Sequence, residues 1–170
     1  PKRRRRLSKS AVATNLPTMR ILALIPLALL ATPAAAQDKP DPARLKASVE
    51  KLVGFGTRHT LSDPDHPTRG IGAARRWAAA ELARIGDRCG CIEVANLGRT
   101  FTGPRAPRGV EVIDVLGFQA GEDSKRVVIV MAHIDSRVTD PLDATSDAPG
   151  ANDDGSGVAL VLEAARILSK

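Results

Sequence analysis

The chain has 170 residues, 43% apolar and 26% charged, an ordinary globular balance, but only 2% are aromatic, so a core must be aliphatic. The net charge of +6 is not spread evenly. Seven of the 25 Lys and Arg residues (Lys2, Arg3, Arg4, Arg5, Arg6, Lys9, Arg20) fall in residues 1–36, which hold no acid, leaving 18 basic against 19 acidic residues beyond them. The near-neutral remainder removes the main support for a nucleic-acid partner.

In chain order, the first element is a targeting segment. Met19 and the basic Arg20 precede an apolar stretch from Ile21 to Ala31, and Ala34, Ala35 and Ala36 form a small-residue cleavage site before Gln37. The apolar stretch is too short to span a membrane, and Pro26 and Pro33 disfavour a buried core helix. Residues 19–36 are thus expected to be a cleaved signal peptide and residues 1–18 an upstream segment outside the native protein. Residues 37–170 are then exported, secreted or periplasmic, with no stable membrane anchor after cleavage.

Asp41 followed by Pro42 predicts a helix start, with Leu45, Val49, Leu52 and Val53 on one face and Gly54 at the end. A loop, "GTRHTLSDPDHPTRG", separates it from a second helix predicted over residues 68–85. There Ile71, Ala74, Ala78, Leu82 and Ile85 share a face, and Gly86 reads as the stop. "CIEVANL" predicts a short strand and "GVEVIDVLGFQ" an alternating one, with Val110, Val112, Leu116 and Phe118 on one face. After the polar turn "AGEDSK", "RVVIVMAH" predicts a strand buried on both faces and paired antiparallel with its predecessor. A last helix, residues 156–168, carries an apolar stripe of Val158, Val161, Leu162, Ala165 and Leu168, widened by Ala159, Leu160 and Ile167. These elements predict an α/β layer fold with helices on a mixed sheet. The chain stops at Lys170, directly after an apolar helix, and is expected to be a fragment. Cys89 and Cys91, the only cysteines, are expected to bridge across Gly90, two free thiols being the alternative.

The chemistry gathers in "HIDSRVTDPLDATSDAPGANDDGSG", residues 133–157. His133 ends the apolar run, at the strand edge where α/β sites collect, and Asp135 lies two residues on, able to hold one ring nitrogen. Further along, Asp153 and Asp154 precede the last helix, where one carboxylate would serve as an N-cap. Adjacent acids in a Gly-flanked turn closed off from water are costly, and a cation between them and His133 would remove that cost. On residue types alone, a metal site and a plain cap with a solvated histidine stand side by side.

"HIDS" and "APGANDDGSGVALVLEAARIL" resemble the metal-binding segment of the secreted co-catalytic di-zinc aminopeptidases, of the bacterial leucyl aminopeptidase type. In that family a strand ends in G-H-x-D-S, and a variable loop leads to P-G-A-x-D-D-x-S-G and a helix. The likeness covers residues 127–169, with Ala132 where the family often has Gly. The resemblance implies a three-layer α/β/α sandwich with a mixed central sheet, truncated here after its first metal-binding half. It implies two zinc ions per complete site, with His133 a terminal ligand, Asp153 bridging, Asp135 orienting His133, and a cis peptide between Asp153 and Asp154. Peptides would be shortened from their amino ends by a metal-activated water. The family's general-base Glu, its neighbouring Glu ligand and further Asp and His ligands have no counterpart in residues 1–170, so the chain as given is expected to be inactive. His59 is a candidate for lining the substrate cleft, or a loop histidine bonded to backbone. Metallo-carboxypeptidases and glutaminyl cyclases of this fold, and non-catalytic scaffolds that lost their ligands, are the competing outcomes.

Overall fold

A computed structural model describes residues 39–169; the expected signal 19–36 and upstream segment 1–18 lie outside the described residues. Helix α1 (Pro42–Val53) leads to α2 (Gly70–Cys89), then a hairpin of β1 (Ile92–Gly103) and β2 (Ala106–Gln119), and finally α3 (Ser156–Leu168). The class is α/β, and among the described residues the sheet is this one antiparallel pair. No helix among them is long and apolar enough to cross a membrane.

Helix α1 starts as its sequence dictates: the Asp41 carboxylate accepts the Ala43 N–H (2.8 Å) and Pro42 occupies the first turn. In α2, Ile71, Ala74, Ala78, Leu82 and Ile85 are all buried. The expected stop at Gly86 is wrong, because the helix runs on to Cys89 and closes on Gly90 in the left-handed conformation (φ 63°). Gly86 serves close approach instead. A Cβ there would stand 2.8 Å from the Ile92 carbonyl oxygen, where β1 begins against the helix. A disulfide joins Cys89 and Cys91 (S–S 2.11 Å) around that helix end.

The strand pairing also differs from expectation. The partner of β2 is β1, in register from Ile92 opposite Gln119 to Phe101 opposite Val110, across a tight turn. Val110, Val112, Leu116 and Phe118 do share a face, since their partners Phe101, Arg99, Ala95 and Glu93 alternate with the pleat. β1 extends beyond "CIEVANL" because Thr100, Phe101 and Thr102 favour strand geometry even when exposed. The run expected as a buried strand, Val127 to Met131, forms no ladder and is 44–88% exposed. A strand needs a hydrogen-bonding neighbour, and among the described residues none pairs with this run.

The core lies where three helices meet the hairpin base. Leu52, Phe55, Ala73, Ala74, Leu82, Val158 and Leu162 form it, with Val94, Val115, Ala132 and Ile134 packed against it. In α3, Val158, Ala159 and Leu162 are buried, whereas Leu160 and Leu168 face outward, so the buried stripe is narrower than its sequence suggests. Glu163 is also buried, 3% exposed, and ties α3 to the start of α1. Its carboxylate accepts from the Asp41 N–H (2.8 Å), from Arg44 Nη2 (2.8 Å) and Nε (3.1 Å), and from Arg166.

The hydrogen bond from Arg44 pulls the Glu163 carboxyl down against the opposing effect of burial, and the Asp41 amide and the Arg166 and Arg44 charges add to it, giving about 2. A carboxyl held below its unfolded value stabilises fully above that value and loses its contribution as pH falls toward the folded one. Stability should therefore fall between roughly pH 4.5 and 2. Glu163→Gln should lower stability at neutral pH by about 2 kcal/mol and flatten that acid limb in urea titrations; an unchanged limb would reject the assignment.

Candidate functional site

His133 sits in a stretch where exposure alternates: Met131 and His133 face out, while Ala132 and Ile134 pack on the core. This period of two turns the imidazole toward an open cavity of about 440 Å³, lined also by Asp135, Arg137, Gly150 and Asp153. Nδ1 of His133 lies 3.2 Å from both the carbonyl oxygen and Oδ1 of Asp135. Its other nitrogen, Nε2, lies 3.0 Å from Oδ1 of Asp153. The structure thus brings His133, Asp135 and Asp153 together, with the imidazole held from one side and presented on the other. Partial burial works against the charged ring, but the Asp135 charge and carbonyl, with Asp154 and Asp153, outweigh it and raise the His133 pKa above its ordinary value.

Asp153 and Asp154 lie in the turn Ala151–Gly155, whose backbone departs from helical angles at both (φ −116°, ψ 92° and φ −124°, ψ 42°). The peptide between them is cis. Their side chains diverge. Asp154 Oδ1 accepts the Gly157 N–H (2.9 Å) in the first turn of α3, so it is the cap. Asp153 is left free, its side chain 88% exposed and facing His133. The turn is not closed off from water at Asp153, so the desolvation cost that a cation would relieve does not arise there, and the site rests on convergence.

Two donors on one cavity wall suit a divalent ion. Zinc takes His nitrogen and carboxylate oxygen at ~2.0–2.2 Å in tetrahedral order, which sets neighbouring ligand atoms roughly 3.4 Å apart, close to the 3.0 Å between Nε2 and Oδ1. The pair fits part of a ligand set. Among the described residues, no group of three or more His, Cys, Asp or Glu side chains converges.

His59 is buried, and its Nδ1 accepts the Leu61 N–H (3.0 Å), a backbone bond within its own loop. It does not reach the His133 cavity but lines an adjoining one of about 230 Å³, with Asp135 and Arg137 on the shared wall. The acids of the connecting loop are occupied elsewhere: Asp140 and Asp143 accept loop amides, and Asp147 pairs with Arg69 at 2.7 Å. His66 likewise accepts the Thr68 and Arg69 amides ahead of α2.

Sequence reasoning missed Arg58 and Ser136. Arg58 is fully buried, and its guanidinium donates to the carbonyls of Ile134 (Nε, 2.7 Å), Leu52 (Nη1, 3.0 Å), Pro149 (Nη1, 2.8 Å) and Gly150 (Nη2, 2.9 Å). Ser136 Oγ donates to the Ala148 carbonyl (2.6 Å) and accepts the Arg58 N–H (3.1 Å). The only signal was "GTRHT", an arginine among small residues beside a helix end, and arginine reads as surface by default.

Residues 114–170 match Peptidase family M28. The chain is similar to a probable zinc metalloprotease of Pyricularia oryzae, 50% identical over 79% of this chain and 28% of that protein. It is similar to a probable zinc metalloprotease of Leptosphaeria maculans, 49% identical over 74% of this chain and 30% of that protein. A leucine aminopeptidase 1 of Grosmannia clavigera is 29% identical over 73% of this chain and 27% of that protein. The chain thus spans less than a third of the length of these relatives. No solved structure matches it.

The divergence of the two aspartates can be tested. Gly157→Ala, which in a helix interior would stabilise by about 1 kcal/mol, should instead destabilise, because its Cβ would lie 2.2 Å from Asp154 Oδ1. Asp154→Ala should cost about 1 kcal/mol as a lost cap, and the exposed Asp153→Ala should stay within about 0.5 kcal/mol. Urea denaturation measures all three; equal losses for the two aspartates would refute the division.

Proposed function

We propose that this chain, whose residues 114–170 match Peptidase family M28, carries half of the metal centre of an exported zinc aminopeptidase. The observation that carries the reading is the approach of His133 Nε2 to Asp153 Oδ1 at 3.0 Å while Asp135 holds the other ring nitrogen. Relatives named zinc metalloproteases and a leucine aminopeptidase support the metal and the exopeptidase direction. Export rests on the leader 19–36 alone.

In this reading His133, through Nε2, and the exposed Asp153 carboxylate would hold the zinc, with Asp153 the residue that a second ion would share. Zinc held there supplies Lewis acidity toward a peptide carbonyl and a water nucleophile. Asp135 fixes the His133 tautomer by accepting at Nδ1, which leaves Nε2 with its lone pair outward. The cavity around His133 receives the first peptide bond of the substrate, and the adjoining one beside His59 and Arg137 receives a substrate side chain. The remaining ligands and the general base belong to residues outside those described.

The test uses the protein expressed from its complete reading frame. Hydrolysis of aminoacyl anilides should vanish with chelator and return with zinc, and blocking the substrate's amino group should abolish it. His133→Ala and Asp153→Ala should each lower kcat/KM by about a thousandfold or more, and Asp135→Asn should weaken zinc binding by about ten- to a hundredfold. Chelator-insensitive turnover would overturn the zinc reading, and equal cleavage of blocked substrates the aminopeptidase one.

A further inference from the structure

The two donors of the centre come from separate stretches of chain. His133 belongs to the segment that ends at Ser136, Asp153 to the turn after Pro149 and Gly150, and an irregular loop without helix or strand runs between them. Arg69 holds that loop at Thr145 and Asp147, and Gly56 O holds it at Ala148, but none of these bonds reaches both donor segments. Arg58 reaches both: one guanidinium bonds the carbonyl beside His133 (Ile134, 2.7 Å) and the two carbonyls that lead into the aspartate turn (Pro149, 2.8 Å; Gly150, 2.9 Å). A further bond, to the last turn of α1 at Leu52 (3.0 Å), anchors the group to the core. Ser136 repeats the link from below, tying the Arg58 backbone (3.1 Å) to the Ala148 carbonyl (2.6 Å).

All four acceptors of the guanidinium are carbonyls. A fully buried guanidinium without a contacting carboxylate is costly to keep, and a helix end could be capped without one. What only a planar fork with divergent donors does is hold carbonyls from three segments at fixed mutual positions. We propose that Arg58, braced by Ser136, is a positioning residue that sets the separation of His133 and Asp153 for metal binding. The inference rests on the zinc reading above for its metal, but its geometry does not.

The test compares Arg58→Lys with Glu163→Gln, a destabilised control remote from the cavity, in the full-length protein. Zinc affinity is read by chelator competition and the ligand field by the visible absorption of the cobalt-substituted protein. Arg58→Lys keeps the charge but gathers its donors on one nitrogen in place of a planar fork, and should weaken zinc by about tenfold or more and shift the cobalt bands. Glu163→Gln should leave both at wild-type values despite its lower stability. A folded Arg58→Lys protein with unchanged affinity and bands overturns the proposal. Should Arg58→Lys not fold, Ser136→Ala decides, with a several-fold loss of zinc affinity expected and wild-type affinity overturning it. If the wild-type protein binds no zinc, the metal reading fails by itself. The His133 ring-nitrogen resonances then decide: displacement in Arg58→Lys, or in Ser136→Ala should Arg58→Lys not fold, supports the positioning role, and wild-type positions overturn it.

Discussion

A buried positive charge without a carboxylate beside it constrains the rest of this fold. The Arg58 guanidinium sits at zero exposure among carbonyl oxygens, and burial pushes its pKa down, with Asp135 the charge that opposes the shift. Each carbonyl it bonds would otherwise be left in a water-poor corner, so guanidinium and carbonyls satisfy one another or all are stranded. The end of α1, the segment around His133 and the approach to α3 are therefore fixed together. The Ala148 N–H bonded to Gly56 O (2.9 Å) and the Ser136 N–H bonded to Arg58 O (3.3 Å) close the same corner with backbone alone.

Within that frame, two neighbouring aspartates do different work. A helix start needs a side-chain acceptor, and Asp154 supplies it at Gly157. With the cap satisfied by Asp154, Asp153 projects from the turn toward His133, 3.0 Å away. The glycine at 157 is part of this arrangement, because a Cβ would occupy the place of the capping oxygen.

Local rules made much of this legible. The Asp41 cap, the α2 face and the bounds of α3 follow from spacing and propensity; residue types drew notice to His133, Asp135 and the Asp153–Asp154 pair, and only the family resemblance singled out Asp153. What the sequence hid is non-local. Gly86 looked like a stop because its crossing with Ile92 is a tertiary contact. "RVVIVMAH" looked like a buried strand because apolar runs usually are, yet burial requires a neighbour that no local pattern specifies. Arg58 was invisible for the same reason: nothing in "GTRHT" foretells carbonyls 76 to 92 residues away.

The exposed run and the ordered site share residues, and the join between them is informative. Val127 to Met131 lie open to solvent, while Ala132 and Ile134 are packed and Ser136 is buried. Packing thus begins one residue before His133, at the residues that touch the core and the Arg58 corner. No ladder bond takes part. The position of His133 is set by core packing on both sides, at Ala132 and Ile134, and by the Arg58 bonds at Ile134 and Ser136.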